Sequence, residues 1–474
     1  MLLVFIAMAA IVVHGYHPFA EDGEIYVPGI KRALDPALYP HNDGFFASHA
    51  GMTLFPKLMA GSVRITHLPL EWALLFWQSG CIFMFLLACW HVGRLAFRDP
   101  LARWGGVALA ASLLTLPVAG TSLYIMDQYV TTRALSTPAV LFVAINALEK
   151  KLWRAAAWAV LAALIHPLMA VFGVSFAVLV LWIECAGLSA QCMAAILLPL
   201  GLFPPVTDAY REALQSRSYF FLLRWEWYEW LGLLAPFAIL WWFRRIARAQ
   251  KLPVLELLSR ALLWFGGVFF AASLVISVPP GMARFAELQP MRYLQLLYIL
   301  MFVLGGGLLA QFVLQRKLWR WLLLFLPLCG GMWFAQRQLF PATAHIEWPG
   351  AASRNEWVQA FVWIRGHTPV DAYFALNPGY MAVAGEDQQG FRAIAERSRL
   401  ADQKKDSGAV TMFPALAETW KRQVGAEQGW GSFQGQDFKR LKQEFGVDWV
   451  VVERGVGGMD CPYRNTAVQV CRVE

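Results

Sequence analysis

Three acidic residues follow the first apolar segment of the chain, in the stretch 17–24 (HPFAEDGE). A carboxylate held at the boundary between lipid and water can accept the proton of a reacting hydroxyl. The same charges would also suit the N-terminal end of a helix lying on the membrane surface, where the helix dipole favours them. We expect Glu24 to be solvated, which leaves Glu21 and Asp22 as the two chemical candidates.

A second group of candidates stands at the ends of later apolar segments, where a charge is expensive to bury and is therefore a functional candidate. The group consists of Asp127, Arg133, His166, Arg284 and Arg292. Asp127 and Arg133 can either contact a ligand or pair with each other. His166 precedes Pro167, and the proline alone explains a helix break at this point.

The other notable polar residues can also be explained by purely structural roles. Asp43 belongs to a turn-rich patch, 39–44 (YPHNDG), and is either a turn residue or a second acid. His17 and His49 either position a ligand or are structural histidines beside aromatic rings. The run 404–406 (KKD) is expected to be a solvated loop.

The elements that must position these residues are mostly membrane spans. Hydrophobic residues make up 58% of the chain and charged residues only 15%, which is far from a soluble average. The net charge of +8 is spread between apolar segments instead of forming a basic patch, so nucleic-acid binding is not expected. About eleven transmembrane helices are predicted, at 1–13, 72–90, 105–119, 134–148, 152–165, 168–183, 193–203, 231–243, 257–278, 293–313 and 319–334.

Loop charge predicts the orientation of these spans. With the N-terminus in the cytoplasm, the inside loops carry more Lys and Arg than the short outside loops, as inside loops usually do. An odd number of spans then places the C-terminus outside the cytoplasm. We expect an inner (plasma) membrane protein with two parts, a transmembrane domain at 1–336 and an extracytoplasmic domain at 337–474.

The outside segments carry elements of their own. In the first outside loop, 14–71, apolar residues recur at helical spacing in two stretches, which predicts helices lying on the membrane surface. In the C-terminal domain, 355–364 and 437–444 have helical patterns, whereas 372–375 and 447–453 read as strands, so a small α/β fold is expected. A disulfide between Cys461 and Cys471 is one of two open possibilities for these cysteines.

The chain resembles the GT-C superfamily of integral-membrane glycosyltransferases. The resemblance rests on the acidic pair Glu21-Asp22 just after the first span, the large outside loop, the many spans and the soluble domain on the same side. Further stretches are similar to bacterial membrane proteins of this architecture, namely 127–138 (DQYVTTRALSTP), 164–169 (LIHPLM), 288–293 (LQPMRY) and 445–451 (FGVDWVV).

The resemblance implies transfer of a sugar from a polyprenyl-phosphate donor in the membrane to a hydroxyl of a glycan, lipid or protein acceptor. Asp22, or Glu21, would be the general base. Fixed cations would stabilise the departing phosphate, with Arg133, Arg284 and Arg292 as candidates and His166, Asp127 and Asp43 as further binding residues. No nucleotide cofactor is expected, no metal ligands are assigned, and dependence on a divalent metal is left open.

Two other classes of function remain possible from the sequence. A transporter or flippase of lipid-linked sugars would show repeated halves and charges at the membrane midplane. A non-catalytic membrane scaffold would not need its acidic pair. Substitution of Glu21 and Asp22 distinguishes an enzyme from both alternatives, because it should abolish sugar transfer only if the protein is an enzyme.

Overall fold

The computed structural model of the chain describes residues 1–186, 206–278, 280–453 and 455–474, and for 186, 280, 281, 283 and 284 it describes only the backbone. The described part is mostly helical, with a small sheet near the C-terminus. Nineteen α-helices are described: α1 Leu2–His14, α2 Gly23–Leu34, α3 Gly44–Met52, α4 Phe55–Thr66, α5 Leu70–Ala96, α6 Pro100–Ser112, α7 Thr132–Leu148, α8 Leu152–Ile165, α9 Pro167–Ala186, α10 Asp208–Gln215, α11 Trp227–Ala249, α12 Pro253–Ser277, α13 Tyr293–Leu308, α14 Leu318–Leu339, α15 Glu356–His367, α16 Phe391–Ala395, α17 Asp406–Met412, α18 Ala417–Ala426 and α19 Gly435–Phe445.

Shorter turns of other helix types connect these helices. A π-helical turn extends α13 at Leu309–Leu314. The 3₁₀ turns are Ser218–Phe220, Leu222–Arg224, Pro280–Leu288, Pro290–Arg292, Tyr380–Ala382, Pro414–Leu416 and Trp430–Ser432.

Five segments of the described chain are long and apolar enough to cross a membrane: Leu70–Ala96, Pro167–Cys185, Pro253–Ser277, Phe285–Leu314 and Leu318–Leu339. Three shorter apolar helices, α1, α7 and α8, accompany them. The predicted span at 193–203 lies outside the described residues. The total of about eleven spans therefore stays a prediction, whereas the predicted helix break is confirmed, since α8 ends at Ile165 and α9 begins at Pro167.

The chain divides into two compact units. The first unit comprises Met1–Gly15, Trp77–Val206 and Arg217–Ala335, and the second comprises Tyr16–Phe76, Thr207–Ser216 and Gln336–Glu474. The second unit thus joins most of the first predicted outside loop to the C-terminal segment.

In the first unit, α6 and α13 approach each other through glycines. A Cβ atom added to Gly105 would lie 2.4 Å from the carbonyl oxygen of Gly306, and one added to Gly106 would lie 2.6 Å from the carbonyl oxygen of Val303. Small residues allow helix backbones to pack this closely where lipid provides no hydrophobic drive for association. A larger residue at either glycine would separate α6 from α13.

The second unit contains a five-stranded sheet in the order β2-β1-β3-β5-β4. Its strands are β1 Tyr373–Leu376, β2 Ser398–Arg399, β3 Trp449–Val452, β4 Tyr463–Arg464 and β5 Gln469–Arg472. β1 is parallel to β2 and to β3, whereas β5 is antiparallel to β3 and to β4. The predicted strands at 372–375 and 447–453 are confirmed as β1 and β3.

Side chains on the two faces of the sheet enter separate cores, as alternation along a strand requires. Phe374 and Val451 pack with α15 on one face, and Ala375 and Val450 pack with α19 on the other. Both helices were predicted from the sequence, so the small α/β fold is confirmed. Cys461 and Cys471 form a disulfide, which joins β5 to the segment before β4.

The helical stripes of the first outside loop are also present, as α2 and α4. Ile30 of α2 is fully buried inside the second unit, so this part of the stripe contacts protein. Leu54 and Leu58 beside and within α4 remain exposed. Placement of these helices on a membrane surface stays a prediction.

Candidate functional site

Glu21 and Asp22 lie at the start of α2. Asp22 is the N-cap residue of this helix. Glu21 has a φ of 53°, in the left-handed region that costs energy for a residue with a Cβ atom, and its backbone N–H donates to the carbonyl of Gln388 at 2.8 Å. The backbone is therefore held in an uncommon conformation at the first candidate carboxylate.

Two lysines of the C-terminal segment contact the acidic pair. Lys405 Nζ donates to Asp22 Oδ1 at 2.9 Å and also to the Glu21 carboxylate. Lys404 Nζ donates to Glu21 Oε1 at 3.4 Å and to Gln388 Oε1 at 2.6 Å. Sequence inspection missed Lys404, Lys405 and Gln388, because nothing near 404 indicates a partner some 380 positions away.

The lysines change the acidity of their partners. Burial acts to raise the pKa of Glu21, but attraction by Lys405 and Lys404 outweighs it and holds the pKa below its usual value. Burial likewise acts to lower the pKa of Lys405, but Asp22 and Glu21 outweigh it and raise the pKa. At neutral pH, Glu21 is ionised beside a charged ammonium group.

The acidic pair remains reachable from solvent. The side chains of Glu21 and Asp22 are 23% and 27% exposed, whereas Lys405 is 8% exposed and thus lies beneath them. The expected solvated loop at 404–406 is wrong for Lys405 and Asp406, which are buried. The reason is that α17 begins here and packs its first residue into the second unit.

Glu24 is also buried, so the expectation that it would be solvated is wrong. One of its oxygens accepts from the backbone N–H of Arg392 at 2.7 Å, and the other accepts from the Arg392 guanidinium at 3.2 Å. Arg392 in turn donates to both carboxylate oxygens of Asp406, at 3.0 and 2.7 Å. These hydrogen bonds replace those that the Glu24 carboxylate would make to water. They explain why Glu24 is buried although Asp22 is partly exposed.

Five buried charged residues together form what we call the buried-charge cluster: Glu24, Arg392, Arg399, Asp402 and Asp406. Arg399 Nη1 lies 3.9 Å from both Glu24 Oε1 and Asp402 Oδ2. Three carboxylates thus share two guanidinium groups. Burial raises the pKa of Glu24 to about 7, against the opposing attraction of Arg392 and Arg399.

The remaining candidates of the second unit have structural partners. Asp43 is the N-cap residue of α3 and forms an ion pair with Arg32. His17 stacks on Phe340 with ring centroids 3.9 Å apart, and its Nδ1 lies 2.7 Å from Glu347 Oε1. These contacts are those of a structural histidine, which was one of the two interpretations of His17 from the sequence.

In the first unit, Asp127 and Arg133 are buried and paired. Arg133 Nη2 donates to Asp127 Oδ2 at 3.0 Å, and Thr131 Oγ1 donates to the same oxygen at 3.1 Å. Gln78 Nε2 donates to the Asp127 carbonyl at 2.7 Å, which fixes the backbone of this loop. Asp127 and Arg133 therefore pair with each other, which was one of the two possibilities that the sequence left open.

The other first-unit candidates lie at helix ends. His166 is half-buried between α8 and α9, and Arg292 is half-buried at the N-terminal end of α13. Arg284 falls on the 3₁₀ turn Pro280–Leu288, and its side chain lies outside the described part. Across the described residues, no group of three or more His, Cys, Asp or Glu side chains is arranged to hold a metal ion.

No protein-family model matches the chain, and no curated protein matches it. Among solved structures, the chain is similar to the apo form of an oligosaccharyltransferase from Archaeoglobus fulgidus, with a TM-score of 0.38 and 12% sequence identity. The match covers 95% of this chain and 69% of that chain. A TM-score this low assigns neither a fold family nor an activity, so the function must be inferred from the residues themselves.

Proposed function

We propose that this protein is a membrane glycosyltransferase that moves a sugar from a polyprenyl-phosphate donor to an acceptor hydroxyl on the extracytoplasmic face. The observation that carries the proposal is the partly exposed pair Glu21-Asp22, held at the start of α2 by the buried ammonium of Lys405. Carboxylates fixed this way are oriented for one proton transfer, and orientation is a large part of general-base catalysis.

In the proposed reaction, the acceptor oxygen attacks the anomeric carbon of the sugar as the bond from that carbon to the phosphate oxygen breaks. The polyprenyl phosphate leaves with the electron pair, and the acceptor proton passes to Asp22. Glu21 is the alternative base. Direct displacement of this kind inverts the configuration at the anomeric carbon.

Lys405 acts as a positioning residue in this scheme, because it contacts the carboxylates from the buried side. Its charge holds the pKa of Glu21 below its usual value, at the cost of lower basicity. Lys404 is more exposed and offers a cation for the departing phosphate. Arg133, Arg284, Arg292 and His166 remain proposed phosphate ligands, with Asp127 and Asp43 as further proposed binding residues.

Substitution of the acidic pair tests the proposal. Full-length protein in nanodiscs is incubated with polyprenyl-phosphate-linked monosaccharides and an envelope glycolipid extract as the source of acceptor, and mass spectrometry measures the polyprenyl phosphate released. We expect Asp22→Asn to reduce turnover by about 10²–10⁴-fold, the usual contribution of a general base. A larger loss in Glu21→Gln would assign the base to Glu21 instead.

The matched control is Glu418→Gln, which removes an exposed carboxylate from α18. The control should retain turnover, and every variant should retain its thermal unfolding midpoint and its binding of polyprenyl phosphate. If Asp22→Asn and Glu21→Gln both turn over at the wild-type rate, the acidic pair is a structural ion-pair site and the transferase proposal is wrong.

A further inference from the structure

Three arginines surround one carboxylate in the first unit, where α11 ends and α12 begins. Arg244 Nε donates to Glu256 Oε1 at 3.1 Å, and Arg248 Nε donates to the same oxygen at 3.3 Å. Arg260 stands one turn further along α12 and interacts electrostatically with Glu256. We call these four residues the hairpin arginine cluster. Because one carboxylate neutralises only one guanidinium group, the cluster carries an excess of positive charge.

The excess charge of the cluster is accessible from outside the protein. Among the described residues, the half-buried Arg260 forms no ion pair, and its Nε has no hydrogen-bond partner. A partly buried cation without a counter-ion is costly, so an anion bound from outside the chain would be favourable here. The side chains of Arg244 and Arg248 are 27% and 60% exposed, so such an anion can reach them.

Exposed tryptophans indicate the depth of the cluster in a membrane. Trp241 precedes Arg244 by about one turn of α11, Trp264 follows Arg260 by about one turn of α12, and both tryptophans are exposed. Exposed Trp rings are enriched at the headgroup level of a bilayer. Since α12 is long and apolar enough to cross a membrane, this pattern predicts that the arginines lie at the level of the lipid phosphate groups.

The cluster lies at the opposite end of the first unit from Arg292, one of the proposed ligands of the departing phosphate. Arg292 is the N-cap residue of α13, whereas Val313 in the π-helical extension of α13 lines one groove with Gln250, the residue that follows α11. The segment from Arg292 to Val313 is about 30 Å long at the rise of an α-helix, which matches the hydrocarbon thickness of a bilayer. The cluster therefore belongs to the other leaflet, which loop charge predicts to be the cytoplasmic one.

We propose that the hairpin arginine cluster binds the phosphate headgroup of an anionic phospholipid from this leaflet. Guanidinium groups bind phosphate oxygens through paired hydrogen bonds, and basic pockets between membrane helices recognise anionic headgroups. Between Trp241 and Trp264, five residues are Lys or Arg and one is acidic, so an anionic headgroup is favoured over a zwitterionic one. Lipid binding is independent of the transfer reaction proposed above, because it does not involve Glu21 or Asp22.

Two substitutions test the site in full-length protein. Arg248→Met removes the most exposed guanidinium of the paired arginines, and Arg260→Met removes the one that forms no ion pair with a described residue, while both keep an apolar side chain. Arg316→Met is the matched control, because Arg316 is exposed and lies outside the cluster. It follows Val313 by three residues, so the control removes the same charge from the same end of the first unit.

Native mass spectrometry of delipidated protein in detergent measures the binding of dioleoyl phosphatidylglycerol and dioleoyl phosphatidylcholine. We expect wild type and Arg316→Met to bind phosphatidylglycerol equally, and both more tightly than phosphatidylcholine. Arg248→Met and Arg260→Met should each bind phosphatidylglycerol about tenfold more weakly, as expected for the loss of one charged hydrogen-bond donor. A role only in joining α11 to α12 would instead lower the thermal unfolding midpoint and leave the preference between the two lipids unchanged.

Three results would overturn the proposal. The first is equal binding of the two lipids by wild type. The second is that neither Arg248→Met nor Arg260→Met binds phosphatidylglycerol more weakly than Arg316→Met does. The third is displacement of bound phosphatidylglycerol by inorganic phosphate or by polyprenyl phosphate, which would assign the cluster to a soluble anion or to the sugar carrier.

Discussion

Glu24 and Arg392 are joined twice, through the backbone N–H and through the guanidinium of Arg392, and both side chains are excluded from solvent. A buried charge that loses its partner is left without compensation, whereas a buried pair replaced as a whole by uncharged groups costs little. Glu24 stands two positions after Asp22, so this contact also anchors the start of α2 beneath the candidate acidic pair.

Removing the shared cation should strongly destabilise the second unit. We expect Arg392→Met to lower the free energy of unfolding by about 3–5 kcal/mol, because it leaves Glu24 and Asp406 uncompensated. Urea titration of full-length protein in nanodiscs, followed by near-UV circular dichroism, measures the loss. Adding Glu24→Gln and Asp406→Asn to the same variant should restore much of it.

The surface pair Arg211–Asp208 provides the control for this measurement, since both of its side chains are well exposed. Exposed pairs contribute little, so Arg211→Met should not change the free energy of unfolding measurably. Equal losses in Arg211→Met and Arg392→Met would contradict the assigned role of the buried-charge cluster.

The raised pKa of Glu24 predicts how stability depends on pH. Between its ordinary value of 4.5 and about 7, folded Glu24 retains a proton that the unfolded chain releases. Its contribution to stability therefore falls as pH rises through this window, by as much as about 3 kcal/mol, and is constant above it. Thermal unfolding across the window should show a shallower fall in Glu24→Gln than in wild type. Parallel curves for the two proteins would mean that Glu24 does not titrate there.

Lys405 should control the pH at which Glu21 ionises. Without this cation the pKa of Glu21 rises, because burial is no longer opposed by the nearest positive charge. We expect Lys405→Met to shift the acid limb of the pH–rate profile for sugar transfer to higher pH. Lys404→Met should give a smaller shift in the same direction, since its contact is longer and more exposed. An unshifted acid limb in Lys405→Met would exclude Glu21 as the titrating group.

The disulfide between Cys461 and Cys471 predicts the compartment of the second unit. Disulfides persist in oxidising compartments, so both thiols should resist maleimide labelling in protein taken directly from membranes, until a reductant is added. The same protein after reduction, in which both cysteines should label, serves as the reactive control. Replacing both cysteines with Ser should cost about 2–3 kcal/mol of stability, from the entropy of a loop of this length. Free thiols before reduction would place the C-terminal segment in the cytoplasm and contradict the predicted topology.

Local patterns in the sequence predicted local structure well. Pro167 marked the break between α8 and α9, because proline cannot continue a helix. The apolar run at 447–453 predicted β3. The sequence left open whether Cys461 and Cys471 are bonded, and the structure shows that they are. In each case the information lies within a few residues of the element concerned.

The environment of the candidate site could not be predicted in this way. Glu24 and the run at 404–406 have the composition of solvated segments, and only contacts between the two ends of the chain bury them. Propensity and periodicity do not report such contacts. A positional signal existed, since the C-terminal segment was expected on the same side of the membrane as the first outside loop, but this did not indicate which residues would meet.

The order of synthesis has a consequence for α2. Arg392 is 368 positions downstream of Glu24, and at about 5–20 residues per second a ribosome needs roughly 20–70 s to add that length. During this interval α2 can contact α3 and α4 but not Arg392, so Glu24 remains hydrated. Newly made chains must therefore pass through a stage at which segment 16–76 lacks its contacts with the C-terminal segment and is open to proteases and chaperones, and this stage ends only near the end of translation.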